Sequence, residues 1–126
     1  MSKDRKKPVP GDHIWVERSF GPFPYTHHGI YVFEDVVINR TRGKVRWITL
    51  KMFQMGEELH IQGHSKDRKF SPDEVVARAQ SRLGEKGYDI TDLNPEHFAT
   101  WCVTGSAFSK QVHDLPGFDG YSRHYS

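Results

Sequence analysis

Few side chains in this sequence can attack an electrophile or move a proton near neutral pH. There is one cysteine, Cys102, and there are eight histidines, two of them adjacent as His27-His28. A thiolate is most nucleophilic at the start of a helix, where the dipole and a nearby imidazolium stabilise it. The stretch Asn94-Pro95-Glu96-His97-Phe98 reads as such a start. Asn94 offers a side-chain oxygen to a free first-turn N–H. Pro95 suits the first helical position, where its missing N–H would have had no partner. Glu96 puts negative charge at the positive end of the dipole. Phe98, Trp101 and Cys102 fall at i, i+3 and i+4 and form an apolar stripe, and Gly105 is a stop. Any chemistry is therefore expected at the beginning of this helix. Cys102 lies within the stripe, where a packed thiol is the expected state.

The other histidines are weaker candidates. His60 and His64 have i, i+4 spacing, but Gly63 and a strand-like context deny them a common helical face. With no acidic partner at diagnostic spacing, no metal site and no cofactor is expected. His13 and His28 lie in strand patterns and read as satisfied sheet histidines. The lone cysteine excludes an internal disulfide and a cysteine-rich zinc site.

The elements that must position these residues follow from periodicity and breakers. Pro8 to Asp12 is a turn, and His13 to Arg18 alternates as a strand. Ser19-Phe20-Gly21-Pro22-Phe23-Pro24 reads as a breaker-rich loop whose two Phe residues cover a site or form an exposed lip. Tyr25 to Phe33 is a strand, Glu34-Asp35 turns it, and Val36 to Asn39 returns as the second arm of a hairpin. Arg42-Gly43 turns into the strand Lys44 to Ile48. Thr49 to Met55 is a short helical turn, Glu57 to Ile61 a short strand, and 63–69 a polar loop. Ser71-Pro72-Asp73-Glu74 carries a capping box, with Val75, Val76, Ala79 and Leu83 as the buried stripe of the helix that follows. Ser106 to Val112 adds one last turn or two. Strands first and helices after argue an α+β fold, an antiparallel sheet packed against two or three helices.

A chain of 126 residues with 36% hydrophobic and 13% aromatic residues supports one domain with a real core. The expected boundaries are a basic tail at 1–10, the domain at 11–114 and a polar tail at 115–126. A net charge of +2 with mixed signs argues against a nucleic-acid partner. The basic start has no apolar run behind it, so no secretory signal is expected, and no stretch is long enough for a transmembrane anchor. A cytoplasmic setting fits, with at most weak peripheral membrane contact.

These segments together resemble the lecithin:retinol acyltransferase family, a circularly permuted branch of the papain-like cysteine peptidases. The resemblance is carried by Gly11-Asp12-His13-Ile14, Tyr25-Thr26-His27-His28-Gly29-Ile30-Tyr31-Val32, Val36-Val37-Ile38, Ser71 to Val76, and Glu96 to Gly105. It implies a His base in the first strand of the hairpin, a polar orienter on the returning strand, and a Cys nucleophile in an Asn-Cys-Glu-His-Phe box. His27 matches the base, Asn39 the orienter and Asn94 the first residue of the box. The nucleophile position holds Pro95, whose ring has no atom that can attack carbon. Glu96 and His97 belong to the box, and His97 is expected to pack or hydrogen-bond beside the site. Tyr25, His28, Asn94, Glu96, His97, Phe20 and Phe23 are the expected cleft.

The resemblance therefore implies a pseudoenzyme that binds a lipid, an acyl ester or a protein partner in the former cleft. If Pro95 stands where a cysteine was replaced, the alternative is a thiol acyltransferase, phospholipase or amidase with His27 as base. A structural or regulatory interaction protein is the third reading.

Overall fold

Three two-residue turns fold the first half of the chain back on itself. In the computed structural model, which describes residues 7–86 and 96–106, β1 (His13–Phe20) and β2 (Phe23–Phe33) join through Gly21-Pro22. β3 (Val36–Thr41) follows through Glu34-Asp35, and β4 (Lys44–Thr49) through Arg42-Gly43. Both residues of each of the last two turns have positive φ, which matches the right-handed twist of the flanking strands. The chain then makes α1 (Leu50–Gln54), the short edge strand β5 (His60–Gln62), α2 (Pro72–Ser81) and α3 (Glu96–Thr104). The sheet is antiparallel in the order β4-β3-β2-β1-β5, so the fold is α+β.

The segment from Ser19 to Pro24 is not a loop. It is the end of the β1–β2 hairpin, with Phe20 opposite Phe23 and Ser19 opposite Pro24. Pro24 is tolerated because β3 pairs with β2 only from Ile30 to Phe33, so no neighbouring strand needs its missing N–H. Leu83 also departs from expectation. α2 stops at Ser81 with Arg82 as its cap, so Leu83 falls beyond the helix and is exposed. The start of α2 is as the sequence reads. Ser71 accepts from the Glu74 N–H, and the Glu74 carboxylate accepts from the Ser71 N–H. Asn94, Pro95, the turn expected over 106–112 from residue 107 onward, and the polar tail lie outside the described residues.

Both faces of the sheet are covered. On one, Ile30, Val32, Ile38 and Val45 pack against Val75 and Ala79 of α2 and against Phe98, Ala99, Cys102 and Val103 of α3. On the other, Ile14, Val16, Tyr31 and Val37 pack against Phe53 of α1, with Leu59 and Ile61 at the margin. Gly29 permits the second contact. A Cβ there would sit 2.7 Å from Val37 Cγ1 and 3.1 Å from Phe53 Cε1, so α1 can approach the strand only where a side chain is missing.

α2 and α3 are joined at the carbonyl end of α3. The Arg78 guanidinium donates to the carbonyls of Trp101 and Cys102, 2.8 and 3.1 Å away, and lies over the Trp101 and Phe70 rings. One cation thus satisfies C-terminal carbonyls and complements the negative end of the helix dipole.

Candidate active site

Successive side chains of a strand point to opposite faces, so the His27-His28 doublet is divided by the sheet. His27 sits opposite Val16 and its ring lies 5.3 Å from that of Phe53, on the α1 face. His28 sits opposite Trp15, on the side of β2 that carries Ile30 to α3. Asn39 is two residues beyond Val37 on the regular strand β3, so it too belongs to the α1 face. The residues that resemble base and orienter therefore share one face, while α3 packs on the other.

His27 is half-buried, and burial holds its pKa down at about 4, helped by the Arg18 guanidinium. It is neutral at pH 7, as a base must be, but weakly basic. Asn39 is fully buried, and neither Oδ1 nor Nδ2 has a hydrogen-bond partner among the described residues. An amide dehydrated without compensation is costly. Replacement by a nearly isosteric apolar residue, Asn39→Leu, is expected to raise the unfolding free energy by about 1–3 kcal/mol in urea titrations. A drop in the urea midpoint would mean that the amide is bonded after all.

The other face holds an arrangement that no local pattern announces. His28 Nδ1 lies 2.7 Å from His13 Nε2, His13 Nδ1 lies 2.8 Å from His64 Nε2, and His64 Nδ1 lies 3.0 Å from Asp67 Oδ1. At the far end, Thr26 Oγ1 is 2.8 Å from His28 Nε2. A carboxylate only accepts, so with neutral rings one proton arrangement satisfies every link. Each imidazole donates from Nδ1 toward Asp67 and accepts at Nε2, and the Thr26 hydroxyl donates into the last ring. Burial pushes His13 well below its ordinary pKa, with His28 and His64 adding to the effect. Burial holds His28 at about 3, with His27 and His64 contributing. Trp15 stacks on His60, with ring centroids 4.0 Å apart, and flanks His28.

The expectation that His13 and His28 are satisfied sheet histidines holds, but their partner His64 comes from a loop 51 residues from His13. Strand periodicity carries no signal for that. Among the described residues, no group of three or more His, Cys, Asp or Glu side chains is arranged to hold a metal ion.

On the helix side, Glu96 opens α3 and His97 is buried. Cys102 is fully buried in the core, and burial raises its thiol pKa despite the opposing pull of Arg78 and Arg82. Tyr25 is partly exposed, while Phe20 and Phe23 stand out at the hairpin tip, 79% and 68% exposed. They form a lip at the end of the ribbon. An apolar groove of about 290 Å³ lies between the sheet and α2, lined by Val32, Phe33, Val36, Ile38, Trp47 and Leu83 together with Gln80. No helix among the described residues is long and apolar enough to cross a membrane.

Comparison with known proteins agrees with this architecture. The chain is similar to lecithin retinol acyltransferase of Mus musculus, at 34% identity over 71 residues. The match covers 54% of this chain and 31% of that protein, so the chain spans about a third of its relative's length. The family model described as lecithin retinol acyltransferase matches residues 36–108, more than half of the sequence. With an antiparallel α+β fold and a family match of that extent, the chain belongs to the lecithin retinol acyltransferase family.

Proposed function

We propose that this chain is a catalytically inactive member of its family that binds an acyl lipid. One observation carries the reading. The only thiol in the sequence is Cys102, seven residues beyond the position that resembles the nucleophile, and it is packed in the core with its pKa raised. Thioester chemistry needs an accessible thiolate, and Pro95 supplies none. The name of the mouse relative points to an acyl substrate for that protein. The apolar groove between the sheet and α2, near the lower size limit of small-molecule pockets, offers this chain a surface for an acyl chain.

The test is incubation with activated acyl esters and with phospholipid, followed by intact-mass measurement, fatty-acid release and titration with a fluorescent acyl lipid. The expected result is no acyl-protein adduct, no release and saturable binding. Turnover or an acyl group on Cys102 would restore the reading of a thiol acyltransferase or phospholipase. Absence of both turnover and binding would leave a structural or regulatory interaction protein and overturn the lipid ligand.

A further inference from the structure

The β1–β2 hairpin ends in an apolar wedge that the fold does not use. Phe20 and Phe23 face each other in register, and so project from the same face of the ribbon. Both are more than two-thirds exposed, and a Cβ at the Gly21 turn would meet nothing. The six residues Ser19-Phe20-Gly21-Pro22-Phe23-Pro24 carry no charge. Two of them are prolines, so the tip presents two fewer backbone N–H groups than an ordinary hairpin end. That lowers the cost of taking the backbone out of water, where each unsatisfied group is penalised by several kcal/mol.

Just behind the tip the character changes. Arg18 and Tyr25 form the next cross-strand pair, and Glu17 follows Arg18 inward. Arg18 also donates to the carbonyl of Phe53 at 2.6 Å, which ties the C-terminal end of α1, with its 70% exposed Met55, to the same level.

From this we infer that the β1–β2 hairpin tip inserts into the surface of a lipid bilayer. Three residues per arm at about 3.3 Å each give a wedge of about 10 Å, the depth to which interfacial segments bury their apolar side. Tyr25 then lies at the headgroup level, where amphipathic rings are favoured, with Arg18 beside it. A convex tip without a complementary hollow suits a deformable apolar medium better than a rigid protein pocket. Because Arg18 and Glu17 offset each other and the tip is neutral, the attraction is apolar and independent of lipid charge. The inference does not depend on an acyl ligand in the groove.

Flotation of the full chain with neutral phosphatidylcholine vesicles and with vesicles that also carry anionic phosphatidylserine, each at low and high salt, tests it. The wild-type chain is expected to float equally in all of these, and Phe20→Ser/Phe23→Ser is expected to lower the partition coefficient at least tenfold, roughly the loss of two exposed aromatic side chains from lipid. Thermal melting of the double variant checks that the fold is kept. As a second readout, an environment-sensitive dye on Ser19→Cys should shift to the blue on adding vesicles. Failure of the wild-type chain to float would overturn the inference, as would binding unaffected by the double substitution. Binding confined to anionic vesicles and abolished by salt would also overturn it, assigning the attraction to the basic residues between Lys3 and Lys7. Self-association through the two Phe residues without flotation would replace the lipid by a second copy.

Discussion

Lowering the pH from 7.5 to 5 is expected to remove about 4 kcal/mol of folding stability through His27 and His28 alone, although no carboxylate need be protonated for the loss to occur. The groups responsible are His13, His27 and His28, each held below its ordinary pKa mainly by burial. A histidine whose folded pKa is depressed binds protons more readily when unfolded. Stability is therefore intact above the unfolded value of about 6.5 and declines as the pH falls through it. The decline continues to about 4 for His27 and about 3 for His28. At pH 5 His27 and His28 have each travelled about 1.5 units of that interval, or about 2 kcal/mol apiece, and His13 adds to the loss in the same direction. The sum approaches the whole stability of many domains. Burial is the main reason the protons are refused. A protonated His28 or His13 would also donate from both nitrogens, so the chain could keep its links only if the Thr26 hydroxyl turned from donor to acceptor. Urea midpoints measured at pH 7.5, 6 and 5 check this, with the ring protons followed by NMR at the same values. A midpoint that stays level across this window would rule out the buried neutral histidines.

What could be read before folding, and what could not, follows the range of each interaction. The capping box at Ser71 to Glu74 is complete within four residues, and the turns at Glu34-Asp35 and Arg42-Gly43 within two, so local chemistry reveals them. Gly21-Pro22 was open to misreading because the same residues break strands and close hairpins. Only the length of β3 decides that Pro24 can sit in a strand. The doublet shows a further limit. Alternation places His27 and His28 on opposite faces, but which face meets α3 is settled by how the helices pack, through contacts such as Ile30 with Phe98 and Ala99 in one cluster and Phe53 with Val37 in the other. The His13–His64 link spans 51 residues. It depends on β5 pairing with β1, which brings the chain back beside His13 before the loop delivers His64. The family resemblance could name His27, Asn39 and position 95, but it could not reveal a second histidine array on the other face.

Labelling of Cys102 by a thiol reagent at neutral pH is expected to be at least a thousandfold slower in the native chain than in denaturant. Two barriers combine. The thiol is fully buried, so the reagent reaches it only when the core opens, and for a stable domain that fraction is about 10⁻³ or less. The thiolate is also disfavoured where it sits. Two guanidinium groups pull the pKa down, but desolvation outweighs both, because Arg78 is committed to the carbonyls of Trp101 and Cys102 and its charge is spread over two aromatic rings. A nucleophile needs the opposite balance, partial exposure with an electropositive neighbour free to stabilise the anion. The reagent rate thus separates the two views of this chain. Slow labelling that tracks unfolding, accelerating with urea in step with loss of structure, marks a core thiol and leaves acyl transfer without an attacking atom. Labelling as fast as that of an exposed thiol would show that α3 opens to present Cys102, and an active site built around that residue would then have to be considered in place of the one that resembles the family's.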